Sequence, residues 1–433
     1  MKSSKILATA AAVAMTVGSA GATQPDNTGV TYIPRRAVVV HGDPTKADST
    51  VLAVFYSREG LDFSDAGAPR FLLLDSKGKV AFGIGGSLYA TASYDFDGAI
   101  DDNDFTTYDL SVPNDPALRQ RFGADARNSS LSAKLVGRSE KFGLFTVYFQ
   151  AKFTGDNGKY GFRLKQAYAT IGRLTAGLAT STFVDADVQA PTIDPQGASG
   201  QVSEKNMLFR YKTRSFRGLS GAVSVEIPQV SYTTGTLADG TAASKKIPQR
   251  VPDIPVYVQY QWAKNSHVRV AGIFRDLAYR NLVTGRYRLQ PGWGVKFSAV
   301  ADICNIIRPF GHISYGKGIS SYVNDLSGNG FDLVPGNDGN MDAAPSMTWT
   351  AGTYVFFSPK VFASASISRA QVFDCGHMGG DTYRYGMYGC ANVFYDFNDN
   401  FRIGAEYLHG RRNNYDGQSG HANRINLLLE YSF

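Results

Sequence analysis

The chain has 433 residues, of which 43% are hydrophobic and 19% charged, with 27 phenylalanines, 24 tyrosines, 46 glycines, 3 cysteines and a formal net charge of +7. So heavy an aromatic load excludes a disordered chain, and three cysteines exclude a disulfide framework. Length and an ordinary share of apolar residues would suit a soluble protein of several domains, but that prior is soft for β-barrels.

Residues 1–22 carry Lys2 and Lys5, an apolar run over 6–17 and then Ala20-Gly21-Ala22. A positive start, a short apolar core and a small-x-small end predict a secretory signal peptide. Its removal after Ala22 takes away two bases and no acid, so the mature charge becomes +5. No run of 18 apolar residues follows, which excludes a later transmembrane helix. Segment 23–78 comes next and is mixed in character. Asp48-Ser49-Thr50 is placed to cap a short helix over 51–57, while Arg35, Arg36 and the run Phe71–Leu74 fit no single pattern. A periplasmic extension, a partial plug and a subunit contact all remain open for it.

From residue 79 onward apolar and polar residues alternate. Over 145–153 the odd positions Phe145, Val147, Phe149, Ala151 and Phe153 oppose Thr146, Tyr148, Gln150 and Lys152. Over 254–262 Ile254, Val256, Val258, Tyr260 and Trp262 oppose Tyr257, Gln259 and Gln261. Period two is the mark of a strand with unlike faces. It predicts sixteen strands: 79–95, 129–138, 142–154, 160–172, 173–180, 205–214, 218–227, 253–263, 266–280, 286–300, 305–317, 346–357, 360–373, 382–397, 400–411 and 421–433. The last ends on Phe433, with Ile425, Leu427, Leu429 and Tyr431 on the same face.

Long or moderate connections (96–128, 181–204, 228–252, 318–345) alternate with very short ones such as 139–141, 215–217, 264–265, 358–359 and 398–399. Only the turn near Gly172 interrupts the rule. An even strand count, short periplasmic turns and longer outer loops describe a transmembrane antiparallel β-barrel, whose expected extent is 79–433. A sheet survives in lipid only when it closes. At about sixteen strands the barrel is too wide for side chains to fill, which leaves an aqueous channel.

If the apolar positions face lipid, the bases facing inward are Lys134, Lys152, Arg163, Lys165, Arg210, Lys212, Arg269, Arg275, Lys296, Arg308, Arg402 and Arg424. The acids by the same rule are Asp95, Glu226, Glu406 and Glu430. Basic side chains ringing a pore attract anions. The expected selectivity group is Lys134, Arg210 and Arg275 at mid-barrel, with Lys152, Arg163 and Lys165 above and Lys212 beside them. Arg308, Arg402 and Arg424 are expected on solvated rims. The loop 182–204 is expected to fold inward, stiffened by Pro191 and Pro195, so that Asp185, Asp187 and Asp194 oppose the basic wall.

Other groupings point to no chemistry. The six histidines show no metal-binding spacing, and the glycines Gly83, Gly85 and Gly86 open no helix, so they form no nucleotide loop. Asp95, Asp97, Asp101, Asp102 and Asp104, and Asn337-Asp338-Gly339-Asn340 with Asp342, read as solvated loops, although oxygens so placed can also take Ca²⁺. Cys375 and Cys390 are candidates to pair across a hairpin, and Cys304 has no evident partner. Basic residues follow strand parity instead of forming one patch, which argues against nucleic-acid binding.

Several stretches resemble one family. They are Ala68-Pro69-Arg70-Phe71-Leu72-Leu73 leading to Gly83-Ile84-Gly85-Gly86, then Ser181-Thr182-Phe183-Val184-Asp185, Gln259-Tyr260-Gln261-Trp262 and Gly292-Trp293-Gly294. Ser314-Tyr315-Gly316-Lys317-Gly318, Gly404-Ala405-Glu406-Tyr407 and Ala422-Asn423-Arg424 continue the series. Together they resemble the DcaP-like porins in their Bacteroidetes-type branch. The resemblance implies a sixteen-stranded trimeric outer-membrane channel, often selective for small anions. Some members carry an N-terminal coiled coil, but 23–78 has no heptad run. The expectation is a non-enzymatic passive porin without cofactor or metal, embedded in outer-membrane lipid and favouring anionic or zwitterionic nutrients. A barrel enzyme of lipase or protease type, using His409 or His421 at the rim, and a structural or adhesive surface barrel are the alternatives.

Overall fold

The computed structural model describes residues 37–433 apart from 59–60, 64, 66–67, 101–102, 156–159, 238 and 377. The expected signal peptide, the start of segment 23–78, Asp101, Asp102 and His377 lie outside the described residues.

Sixteen antiparallel strands close into one barrel: β1 (Val80–Asp97), β2 (Ser130–Ser139), β3 (Gly143–Lys152), β4 (Arg163–Ile171), β5 (Leu174–Thr180), β6 (Lys205–Lys212), β7 (Leu219–Glu226), β8 (Ile254–Ala263), β9 (Ser266–Asn281), β10 (Tyr287–Val300), β11 (Ile307–Lys317), β12 (Pro345–Ser358), β13 (Val361–Val372), β14 (Tyr383–Asp396), β15 (Phe401–Asn414) and β16 (Ser419–Ser432). Each pairs with the next, and β16 returns to β1 through Leu427↔Ala92 and Tyr431↔Leu88. Closure satisfies the backbone of every strand without water.

Side chains follow the period of two. On β8, Ile254, Val256, Val258, Tyr260 and Trp262 are exposed on the outer surface, while Tyr257 is buried on the inner one. On β10, Trp293, Val295 and Phe297 point out, and Lys296 and Ser298 are buried inside. The outer surface is therefore an apolar band suited to lipid, and the inner one is polar.

Connections sort by length. One end carries 140–142, 172–173, 213–218, 264–265, 301–306, 359–360 and 397–400. The other carries 98–129, 153–162, 181–204, 227–253, 282–286, 318–344, 373–382 and 415–418. The turn near Gly172 fits after all: it has two residues, and Gly172 takes φ +59°, a conformation that glycine adopts without strain.

Short strands outside the barrel register went unpredicted. Arg119–Asp125 lengthens the sheet beside the upper part of β1, and Ser244–Lys246 does so beside β9. Phe71–Leu74 pairs with Ala81–Ile84, taking the edge of β1 that β16 leaves below its end. At that point Phe433 exchanges two backbone hydrogen bonds of 2.9 Å with Gly86. Val38–His41 adds a parallel strand beside Phe71–Leu74.

The expected cap is present. Asp48 accepts hydrogen bonds from Thr50 N (2.8 Å) and Val51 N (3.2 Å) and starts helix α1 (Ser49–Phe55). Val51, Leu52 and Phe55 then pack on Ala81 and Val136, which places α1 against the inner wall of β1 and β2.

The lumen differs from the open pipe that strand number suggested, because the chain's own loops enter it. Phe183, Val184 and Val202 of loop 181–204 pack with Ile319 and Tyr322 of loop 318–344 onto Tyr257, Ala271 and Ile273. Ile100, Phe105 and Leu110 of loop 98–129 pack with Ala198 onto Tyr388, Leu408 and Ala422. Val323, Leu326 and Phe331 cover Ala370, Val372 and Tyr383.

Candidate functional site: the channel lumen

Loop 181–204 does fold inward, and inner-wall side chains hold it by its backbone. Thr182 N donates to Glu226 (2.9 Å), and the Gln189 carbonyl accepts from Tyr354 OH (3.0 Å). Pro191 O accepts from Asn392, and Ile193 O accepts from Tyr89 OH (3.0 Å). Ile193 N and Asp194 N both donate to Glu406, at 2.7 and 2.9 Å. On the way back, Gly200 N donates to Ser368 (2.8 Å), and Gly200 O contacts His312 Nε2 at 3.0 Å. The loop thus runs from β7 across to β14, β15 and β1 and returns over β11 and β13.

Its acids do not oppose an open basic wall, as was expected. Asp185 is fully buried, hydrogen-bonded to His267 (3.0 Å) and Ser298 and ion-paired with Arg269 (3.4 Å). Asp194 is buried too, accepting from Phe105 N (3.0 Å), Gln196 N (3.2 Å), Gly197 N (3.2 Å) and Tyr388 OH (3.1 Å). Both hold the loop's shape; of the three acids only Asp187 is exposed. Asp185, Asp187 and His267 are the group among the described residues whose ligand atoms come within 4.8 Å of one another. Arg269 and Lys296 beside Asp185 already supply the positive charge, so the group suits an ion-pair knot better than a divalent cation.

The bases divide into two sets. Arg275, expected at the centre of the selectivity group, is fully buried. It pairs with Asp253 (3.0 Å) and Asp332 (3.1 Å), donates to Ser321 (3.1 Å), Gly318 O and Gln229 O, and lies over the Tyr322 ring. It ties the loops 227–253 and 318–344 to β9 and offers nothing to a solute. Arg424 is not a rim residue either: it is buried and bidentate to Asp95 at 2.7 and 3.1 Å. Asp95, expected in a solvated acidic run, is thereby committed. Arg308 and Arg402 sit near the short-turn end, paired with Asp302 and with Asp396 (2.6 Å). Lys134 donates to the Ser57 carbonyl (2.9 Å), and Lys152 pairs with Asp65 (3.2 Å), both contacts being with segment 37–78.

The second set lies on β4 and β6. Arg163, Lys165 and Arg210 form no ion pair among the described residues; Arg210 donates to the Thr180 carbonyl at 3.1 Å. Its partners in register are Thr175 and Ser224, near the short-turn end and not at mid-barrel. Lys212 is exposed just beyond. Lys165 occupies a bulge: Gln150 pairs with Gln166 and Ala151 with Leu164, and Lys165 is skipped. An extra residue lets the chain break its period, so Lys165 joins Arg163 and Lys152 instead of turning out to lipid. Its charged neighbours are Lys152, Lys205 and Arg163, with Asp104 of the first loop the acid nearby. Parity missed Lys205, because it is the first residue of β6 and its side chain turns inward to reach Asp62.

All three cysteines are free, so Cys375 and Cys390 do not pair. Cys390 instead donates its thiol to Glu406 (3.3 Å).

The model of the DcaP outer membrane protein family matches residues 74–218, a stretch that contains β1 to β6, the inward loop and the bulged lysine. Over this stretch, about a third of the chain, the sequence is similar to the DcaP outer membrane protein family. The crystal structure of the outer membrane channel DcaP of Acinetobacter baumannii superposes with a TM-score of 0.70 at 18% identity, covering 83% of this chain and 99% of that one. Salmonella typhi OmpF, in complex with daunomycin, gives 0.52 at 10% identity over 82% and 98%. The trimer form of Vibrio cholerae OmpT gives 0.50 at 10% identity over 82% and 100%. At such identities the structural likeness speaks for the barrel alone. Comparison with curated protein sequences gives no match. The matched third of the chain is thus similar to outer membrane proteins of this family, and the whole barrel has the fold of the porins.

Proposed function

We propose that the barrel is a passive diffusion channel for small hydrophilic solutes, favours anions and zwitterions, and works as a homotrimer with its short turns in the periplasm. The observation that carries the charge preference is the strip Arg163, Lys165 and Arg210, without ion pairs among the described residues and flanked by Lys152 and Lys205. Loops and buried ion pairs occupy the facing wall from β8 to β16, and Asp65 and Asp62 hold Lys152 and Lys205, so the bases left to a solute are Arg163, Lys165 and Arg210, the arrangement that draws anions into a pore. Asp104 and the exposed Asp187 give such a solute's positive end something to face.

Neutralising this strip tests the proposal. In planar bilayers under a salt gradient, Arg163→Gln with Lys165→Gln is expected to move the reversal potential toward that of a non-selective pore, with open-channel current retained. Arg308→Gln serves as the control, since Arg308 is already paired with Asp302, and should leave selectivity in place. An unchanged reversal potential in the double variant would sink the anion preference. For the trimer, the mass of the detergent-solubilised assembly decides.

A further inference from the structure

Segment 37–73 precedes the stretch matched by the family model and takes part in none of the sixteen strands, yet it enters the lumen. Phe71–Leu74 and α1 fix it to β1 and β2. Asp48 at the helix start pairs with Arg138 of β2 (3.2 Å).

The described residues of 57–65 then form a hook. Arg58 donates to the carbonyls of Asp62 (3.2 Å), Phe63 (3.4 Å) and Asp65 (3.0 Å), and Asp62 N donates to Asp65 Oδ2 (3.0 Å). The hook holds its own shape. Its contacts with the barrel come from opposite walls. On one side Ser57 O accepts from Lys134 of β2, Asp65 from Gln150 (3.0 Å) and Lys152 of β3, and Asp62 from Lys205 of β6. On the other, the Phe63 ring lies 5.2 Å from Phe394 of β14 and 6.1 Å from Phe362 of β13, with the Arg402 guanidinium 5.3 Å from its centre. Strands β6 and β14 stand eight places apart in a ring of sixteen. The neighbours Asp62 and Phe63 therefore bridge the full width of the barrel.

The carboxylates of the hook sit on Lys152 and Lys205, the lysines that flank the basic strip assigned above to permeating anions. We infer that the described residues of this hook, 57–58, 61–63 and 65, form a built-in gate: they close the lumen by placing Asp62 and Asp65 where a small anion would bind, and anions compete the hook away from Lys205 and Lys152. The inference rests on the anion-channel proposal for the identity of the competitor, but not for the existence of the gate. Attachment through α1 and Phe71–Leu74 leaves the hook tethered when it is displaced, so closure is reversible within one chain.

Single-channel recording on the full chain tests this in two ways. Asp62→Asn with Asp65→Asn removes both carboxylates, and it is expected to raise the conductance or the open fraction by about two-fold or more, since it frees Lys205 and Lys152 from the hook and charged rings in a pore govern ion passage. In a background with Cys304, Cys375 and Cys390 changed to Ser, Asp65→Cys and Lys152→Cys are bridged by a reducible bis-thiol reagent. Current should fall on bridging and recover with reductant in the same molecules, which removes misfolding as an explanation. Inorganic phosphate, raised at constant ionic strength, should lengthen open intervals in the unmodified chain and leave the double Asn variant indifferent. Equal conductance in the unmodified, double Asn and bridged proteins would overturn the gate. Gating that ignores phosphate would overturn competition by anions. Reversal potential is read in the same traces, so a gate that toggles a non-selective current separates failure of the anion proposal from failure of the gate.

Discussion

Glu406 is the single side chain on which the reach of the inward loop depends. It stands on the inner face of β15, accepts from Ile193 N (2.7 Å) and Asp194 N (2.9 Å), and is braced by Asn426 (3.0 Å) and Asn392 (3.1 Å). In Glu406→Ala the two backbone donors lose a charged acceptor inside a buried site. Hydrogen bonds to charged groups are worth roughly 1.5–3 kcal/mol each, so the pair contributes about 3–6 kcal/mol. Removing Glu406 also relieves its repulsion of the Asp194 carboxylate beside it, which favours the lower figure. At about 1.4 kcal/mol per factor of ten, about 3 kcal/mol raises the open population of the loop tip roughly a hundredfold. Contacts of Gln189 with Tyr354 and of Gly200 with Ser368 remain, so the loop loosens at its tip without leaving the lumen. Planar-bilayer recording should then show larger current fluctuations and a higher mean conductance, with Glu406→Gln intermediate because its amide keeps one acceptor oxygen. A Glu406→Ala channel with native noise and conductance, and native heat-dependent gel mobility, would refute the assignment of Glu406 as the anchor.

Arg275→Met strips the charge partner from Asp253 and Asp332, both fully buried, and breaking a buried pair from one side costs about 3–5 kcal/mol. The loop 318–344 should become protease-sensitive while the barrel wall still resists heat in detergent; an unaltered cleavage pattern would contradict this. Asp325 links loop 318–344 to Thr107 of the first loop, whose N donates to it at 2.9 Å. Burial pushes its carboxyl up to about 7, although the Thr107 hydrogen bonds pull the other way. A raised value means that the protonated form is favoured when the loops are docked, so this contribution is complete at acid pH and is lost as pH rises through about 7. Loop proteolysis in the unmodified protein should increase across that range, and Asp325→Asn should flatten the profile. For the hook, burial raises the Asp65 carboxyl, but Lys152 and Lys205, with the Asp62 N–H and Gln150, outweigh it and hold the group below the ordinary carboxylate range. Its latch is present above the ordinary carboxylate value and fails only as pH drops through the depressed one, so the bridged and unbridged behaviour of the gate should persist in mild acid.

The wall of this barrel was legible in the sequence because a strand between lipid and water must alternate. Ile254, Val256, Val258, Tyr260 and Trp262 could be read outward one by one, and the sixteen spans agree with those observed to within a few residues. The lumen was harder, since parity says which way a residue points but not what meets it. Arg275 and Lys134 face inward as expected, yet their partners come from Asp253, Asp332 and Ser57, far along the chain and in segments without period. Lys165 was read inward and lies inward, but the bulge that keeps it there was not legible, since no alternation of apolar and polar residues marks a skipped one. Glu406 was recognised as an inward acid, but its work on two backbone amides depends on a loop two hundred residues away. For the segment that carries the hook, a partial plug was one of three open readings, and the hook's shape was not legible because it rests on one arginine reaching three carbonyls.

The apolar clusters that the loops build inside the barrel have a thermodynamic consequence of their own. Phe183, Val202, Ile319, Tyr322, Leu326 and Phe331 are withdrawn from water by packing, as in the interior of a soluble protein, whereas the outer belt is never exposed to water in the membrane. Heating should therefore release two populations of contacts with different signatures. Melting of the lumen contents exposes apolar surface and carries a positive heat-capacity change, and regions with separate cores open with separate free energies. Calorimetry in detergent should resolve a lower, broad transition for the contents ahead of a higher one for the wall, so that the molecule behaves as a small globular protein held inside a far more durable casing.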